Sequence, residues 1–220
     1  MRIKILMREF SSVARRVYHP SETGIVILTT STPASDTMTT AGSEHHTIHV
    51  LFSAEEIAAR VETLAGEIKA ASPNELLVIA ILRGSFIFAA DLVRALHHVG
   101  LSPSVEFMQL ASYHSGMSSS GQVTVVKDID NTVDGRDVLL IDDILESGRT
   151  LAFAKDLLSA RGARRVMSAV LIEKPTKRAV QFDAEFVGFR APDSFLVGYG
   201  MDVAHKFREL PYVGMIQSDE

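Results

Sequence analysis

Cysteine and tryptophan are both absent from this 220-residue chain. Without cysteine there is no disulfide framework, no zinc–thiolate site and no thiol nucleophile. The absence suits a reducing cytosol, and a cytoplasmic location is expected. Positive charge is also in deficit: 22 Lys and Arg against 27 Asp and Glu leave a net charge of −5. No overall basic field therefore draws in nucleic acid. No apolar run approaches the roughly eighteen residues of a membrane span, so no membrane partner is expected. Two common phosphate-binding fingerprints are missing as well. The chain has no G-x-x-x-x-G-K-[ST], and no G-x-G-x-x-G follows any predicted strand.

What remains is an ordinary globular composition, 46% hydrophobic and 22% charged, long enough for one α/β domain with a sizeable core. Residues 1–46 stand apart as a Ser/Thr-rich arm without clean periodicity, expected to be disordered. Arg2, Lys4, Arg8, Arg15 and Arg16 give the arm a faint transit-segment look, which Glu9 weakens; Met38 is an alternative start for the working protein. His45, His46 and His49 lack thiol companions and sit at a domain edge, so they read as a solvated segment rather than a metal site.

Organised sequence begins near Ile48, and residues 47–220 are expected to form a single domain. Ser53 and Glu56 have the spacing of a capping box, and Ile57, Val61, Leu64 and Ile68 form a helical stripe behind it. "LLVIAIL" (76–82) reads as a strand buried on both faces. After Arg83-Gly84-Ser85 a helix returns and ends at Gly100. Residues 104–113 and 122–129 read as strands joined by a flexible Ser/Gly tip. Val138–Ile141 is a strand, a helix runs from Thr150 to about Ala160, and 165–174 is a further strand. Shorter strands follow in 184–192, 195–202 and 212–216. This alternation predicts a mostly parallel twisted sheet with helices on both faces.

"VLLIDDILESGRT" (138–150) carries the chemistry. The turn Ser147-Gly148-Arg149-Thr150 opens a helix, where outward amides and hydroxyls suit a phosphate monoester. Asp142, Asp143 and Glu146 cannot usefully touch that phosphate. They can accept hydrogen bonds from sugar hydroxyls nearby, or attract a cation that bridges to a second phosphate. A phosphorylated sugar with free hydroxyls accounts for both halves. A competing pattern lies at Asp128 and Asp130, spaced like the nucleophile and acid/base of an aspartyl-phosphate phosphatase. Lys127 interrupts that strand, and Asp130 through Gly135 reads as a turn.

The segment "VLLIDDILESGRTL" resembles the phosphoribosyl-pyrophosphate motif of the type I phosphoribosyltransferases. From about residue 48 onward the chain is similar to their hypoxanthine(-guanine) branch. "LRGS" resembles the pyrophosphate loop, "SYHSG" the opening of a mobile lid, "LIEKP" the purine-contacting strand, and "PDSFLVGYGMD" with "KFREL" a hood over the base. The resemblance implies that Asp142 and Asp143 hold the ribose hydroxyls. Glu146 is then the general acid/base, in a position where the family more usually has Asp. Ser147, Gly148, Arg149 and Thr150 wrap the 5′-phosphate. Arg83 and Gly84 bind pyrophosphate next to a peptide bond that is cis in relatives, and Arg208 reaches the same group. Ser112 and Tyr113 close over the site as part of a lid over 112–123. Lys174 reads the 6-oxo group of the base, Phe195 stacks on its ring, and Leu196 offers backbone groups, within a hood over 184–220. Asp202, with Asp142 and Asp143, stands near a magnesium ion.

From residue type alone, Lys174 reads as a solvated strand end and Phe195 as a core ring. Glu173 should face away from Lys174 and has no assigned role. The resemblance implies purine salvage: hypoxanthine, or guanine, plus 5-phosphoribosyl 1-pyrophosphate gives the nucleoside monophosphate (IMP or GMP) and pyrophosphate. It also implies a homodimer or homotetramer. A nucleotide-sensing regulator of the same fold is the alternative, and the choice between the two bases stays open.

Overall fold

In a computed structural model, the residues described are 36–38, 46–112 and 123–217. The arm up to residue 35, residues 39–45 and the bulk of the expected lid, Tyr113 included, lie outside that range. Two strands, β1 (Asp36–Met38) and β2 (His46–Phe52), precede helix α1 (Ala54–Ala70). There follow β3 (Leu77–Leu82), α2 (Phe86–His98), β4 (Ser104–Ser112), β5 (Val123–Lys127), β6 (Asp137–Leu145), α3 (Arg149–Ala160) and β7 (Arg165–Glu173). The chain closes with β8 (Phe186–Arg190), β9 (Leu196–Val197) and β10 (Val213–Gln217).

The capping box forms as its spacing predicts. The Glu56 amide donates to Ser53 Oγ at 3.2 Å and the Ser53 amide donates to Glu56 Oε2 at 2.8 Å. Two of the helix's free amides are thereby satisfied and its start is fixed.

Six strands form the main sheet in the order β5-β4-β3-β6-β7-β8, parallel throughout except for β5 against β4. Alternate residues of β3 serve opposite faces. Val78 and Ala80 meet Leu64, Phe88 and Leu92 from α1 and α2. Leu77 and Ile79 meet Leu151 and Leu158 from α3. The register Ala80↔Ile141 brings the loop after β3 level with Asp142 at the carboxyl edge of the sheet. That edge is where ligands bind in open parallel sheets.

A second, antiparallel sheet has the order β1-β2-β10-β9. Ile48, Val197, Phe207 and Leu210 form its small core. Two expectations change here. The hood does not begin at 184, because β8 pairs in parallel with β7 as the edge of the main sheet. Nor is all of 1–46 outside the fold, because Asp36–Met38 pairs with Thr47 and its neighbours in β2. A three-residue strand without apolar alternation leaves no periodic trace in sequence; backbone pairing with β2 is what orders it. Among the described residues no helix is long and apolar enough to cross a membrane.

Candidate active site

β6 continues past its apolar run to Leu145, so Asp142 and Asp143 are strand residues rather than the start of the turn. Asp142 is buried, at 8% exposure. The Asp143 amide donates to Asp142 Oδ1 at 3.0 Å, and the Ile144 amide to Asp143 Oδ1 at 2.9 Å. Burial, and then the charge of Asp143 beside it, push Asp142 well above the usual carboxylate range. Burial raises Asp143 as well, against the opposing hydrogen bonds from Asp142 and the Ile144 amide and the charge of Arg208. Such a pair favours anything that relieves its charge, whether sugar hydroxyls or a cation. The Leu82–Arg83 peptide is cis. Gly84 lies so close that a Cβ there would fall 1.6 Å from Asp143 Oδ2. The Arg83 side chain is exposed beside it.

The turn after β6 narrows onto Gly148, whose φ of +79° is the left-handed conformation that glycine adopts freely. A Cβ at Gly148 would meet the Val180 carbonyl oxygen at 2.7 Å, so this backbone packs closely on residues 178–182. Arg149 and Thr150 open α3, and the Arg149 amide donates to Ser147 Oγ at 3.4 Å. A cavity of about 200 Å³ is lined by Asp142, Glu146, Ser147, Gly148 and Thr150. Helix-end amides, the positive end of the helix dipole and two hydroxyls make it an anion cradle.

A second cavity, of about 370 Å³, is lined by Asp143, Glu146, Lys174, Phe195, Leu196 and Asp202. Lys174 is not a solvated strand end. It is 6% exposed, its Nζ donating to the Ser194 carbonyl at 2.7 Å and lying 3.7 Å from Glu146 Oε1. Phe195 is not a core ring either; at 56% exposure it lines the cavity. Leu196 is buried in β9 behind it. Ile144 and Glu146 line both cavities, so Glu146 is common to the two.

Asp202 and Arg208 form an ion pair at 2.6 Å. Arg208 Nη1 donates to the Gly200 carbonyl at 2.5 Å, and the His205 amide donates to Asp202 Oδ2 at 2.9 Å. A Cβ at Gly200 would approach the Gly84 carbonyl oxygen to 2.2 Å, so residues 198–202 abut the 83–85 loop. Ser112 ends β4, paired with Val123. Among the described residues no cluster of three His, Asp or Glu side chains could hold a metal alone. Magnesium commonly takes one or two carboxylates and completes its shell with phosphate oxygens and water, which fits the separate carboxylates of Asp142, Asp143 and Asp202.

The phosphatase pattern does not survive. Asp128 accepts both guanidinium nitrogens of Arg161 at 2.7 and 2.6 Å, and Arg161's hydrogen bonds hold its carboxyl below the usual range. Arg161 caps the far end of α3, about 20 Å from the turn at Gly148 by helix rise. His49 Nε2 and Gln217 Oε1 are hydrogen-bonded at 2.8 Å. Two side chains escaped sequence reasoning. Glu173, given no role, is buried between Arg178 and Arg190, and Arg178 also reaches the Glu146 carbonyl. Alternation showed that Glu173 faces away from Lys174, but not that the chain folds back onto that face.

A strand-edge acidic pair, an anion cradle and a pocket lined by Lys174 thus stand together at the carboxyl edge of the main sheet. The phosphoribosyl transferase domain model matches residues 50–204, and the chain belongs to that family. Within it, the chain is 41% identical over 174 residues to the hypoxanthine phosphoribosyltransferase of Escherichia coli, covering 78% of this chain and 96% of that one. It is 39% identical over 175 residues to the hypoxanthine-guanine phosphoribosyltransferase of Bacillus subtilis, covering 79% and 96%. The crystal structure of a Staphylococcus aureus hypoxanthine phosphoribosyltransferase superposes with a TM-score of 0.72 at 35% identity, over 77% of this chain and 91% of that one.

Proposed function

We propose that this protein is a purine salvage enzyme, transferring the phosphoribosyl group of 5-phosphoribosyl 1-pyrophosphate to hypoxanthine and to guanine. The observation that carries the reading is the position of Glu146 on the shared wall of the two cavities. With phosphate at the 147–150 turn and base over Lys174, the new glycosidic bond forms beside that carboxylate. Lys174 donates to the 6-oxo group, Phe195 stacks on the ring, and Leu196 meets its edge through the backbone. Asp142 and Asp143 hold the ribose hydroxyls. As pyrophosphate leaves, positive charge grows on the ribose, and preorganised groups around it lower the barrier. Arg83, the Gly84 backbone and Arg208 bind the leaving group, and Glu146 takes the proton from the imidazole nitrogen of the base. Asp202, Asp142 and Asp143 would hold magnesium, which when bound would supply charge neutralisation to the pyrophosphate. The reading carries with it a cytoplasmic homodimer or homotetramer.

The test is a magnesium-dependent assay offering hypoxanthine, guanine, xanthine and adenine separately. Turnover of hypoxanthine or guanine is expected, lost on chelation and reduced about 10²–10⁴-fold in Glu146→Gln. Turnover of adenine alone would overturn the assignment of the base pocket. Nucleotide binding without turnover would instead make the protein a regulator.

A further inference from the structure

Three consecutive carbonyls of the phosphate turn are held from one side. The Lys174 amide donates to the Leu145 carbonyl at 2.9 Å, and the Ala179 and Val180 amides donate to the Ser147 carbonyl at 2.9 and 3.1 Å. Between them, Arg178 Nη1 donates to the Glu146 carbonyl at 3.0 Å. In a planar trans peptide the N–H points opposite to the C=O. Carbonyls drawn toward residues 174–180 therefore aim the amides of residues 146–148 the other way, toward the ligand side of the turn. Two of the three carbonyls are held by backbone, whatever the side chains. The middle one accepts from a side chain, the Arg178 guanidinium.

That guanidinium is itself fixed. Arg178 Nη2 donates to Glu173 Oε1 at 2.9 Å, and the second oxygen of the same carboxylate accepts from Arg190 Nε at 3.0 Å. Glu173 is 7% exposed, and a carboxylate buried to that degree is costly unless paired. The Arg178 stem also packs on Gly148, where a Cβ would come within 3.3 Å of Arg178 Cδ. Arginine's rigid fork lets one side chain serve a carboxylate and a carbonyl at once.

We propose that Glu173 and Arg178 are positioning residues for the phosphate cradle: Glu173 orients Arg178, and Arg178 holds the Glu146 carbonyl so that the Ser147 amide faces the 5′-phosphate. Neither touches substrate. The proposal rests on the 147–150 turn being the phosphate site of a phosphoribosyltransferase.

The test uses the full chain with Arg178→Gln, Arg178→Lys, Glu173→Gln and the double substitution Glu173→Gln/Arg178→Gln. The dissociation constant of 5-phosphoribosyl 1-pyrophosphate is measured by calorimetry, KM for each substrate and kcat by assay, and folding by thermal melting. In Arg178→Gln the pyrophosphate substrate should bind roughly tenfold more weakly, while KM for the purine base stays within about twofold. Glu173→Gln should act in the same direction with a smaller effect. Because it acts through Arg178, the double substitution should be no worse than Arg178→Gln alone. Arg178→Lys, reaching one partner but not both, should recover part of the loss. Unchanged affinity in a folded Arg178→Gln protein would overturn the proposal, as would equal losses for both substrates or fully additive effects. Wild-type binding without turnover would sink the transferase reading alone, leaving the variant affinities to decide the proposal. No binding by the wild-type protein would sink both.

Discussion

Gly84 illustrates how much of the site is decided by single atoms. A methyl group there would fall inside the Asp143 carboxylate, 1.6 Å from Oδ2. Either the aspartate or the 83–85 loop must move. Gly84→Ala should therefore leave the fold intact at a cost of about 1–3 kcal/mol. It should raise KM for 5-phosphoribosyl 1-pyrophosphate at least tenfold while changing KM for the base little, which steady-state kinetics on both substrates measures directly. An unchanged KM for the phosphorylated sugar would remove the 83–85 loop from the leaving-group site. At this scale sequence was a partial guide. The acidic pair and the helix-opening turn were visible as types in order, and both stand at the carboxyl edge of the main sheet. Lys174 and Phe195 were not decipherable from type: a buried lysine and an exposed phenylalanine both invert the usual preference, and only a pocket between two sheets makes each affordable. The partners of Glu173 were hidden for another reason, since residues 174–180 fold back without any periodic signal.

Among the elements, those with a repeating pattern were legible and those held by tertiary contact were not. The capped α1, the apolar β3 and the strand–turn–helix from β6 to α3 follow from local chemistry. β1, of three residues, does not, and of the 195–202 run read as a strand only Leu196–Val197 pairs as β9. The segment joining β9 to β10 depends on a specific anchor. Tyr199 has a φ of +49° between two glycines that are also left-handed, and it is 6% exposed. Its hydroxyl donates to Asp91 Oδ2 in α2 at 2.5 Å, and Asp91 also accepts from Arg94. Burial, and then the bond to Asp91, push the phenol far above its ordinary range, so it remains a donor at any physiological pH. Tyr199→Phe keeps the ring and removes the tie between the 198–202 segment and α2. The loss of one charge-assisted hydrogen bond should cost about 1–2 kcal/mol, a fall in Tm of roughly 2–8 °C. A melting temperature equal to that of the wild type would show that ring packing alone holds the segment.

Over the whole molecule the main sheet separates its duties by edge. The carboxyl ends of β3, β6 and β7 carry the loops that line the two cavities, whereas the amino ends converge on Asp137, which has no exposed surface. Asp137 Oδ2 accepts from the Asn74 amide at 3.0 Å, from Arg164 Nη2 at 2.5 Å and from Arg165 Nη2 at 2.8 Å. One carboxylate thus ties together the starts of three neighbouring strands, a junction no local pattern could announce. Burial raises its pKa, but the Asn74 amide and the two arginines outweigh burial, and the net shift is below the ordinary value of 3.8. A folded-state pKa lowered in this way contributes stability that is present above the unfolded value and lost as pH falls through the folded one. Asp137→Asn should therefore destabilise the protein at pH 7 by about 1–3 kcal/mol. The gap to the wild type should begin to narrow as pH falls below roughly 4, where the unfolded carboxyl starts to protonate, and close as pH falls further through the lower folded-state value. Denaturant unfolding at pH 7, 5 and 3.5 follows that gap, and one that stayed constant over the range would refute a charge-dependent role. Because the junction lies a strand's length from the cradle, kcat should be unaltered at temperatures where both proteins are folded. A fall in kcat would mean that the two edges of the sheet are coupled.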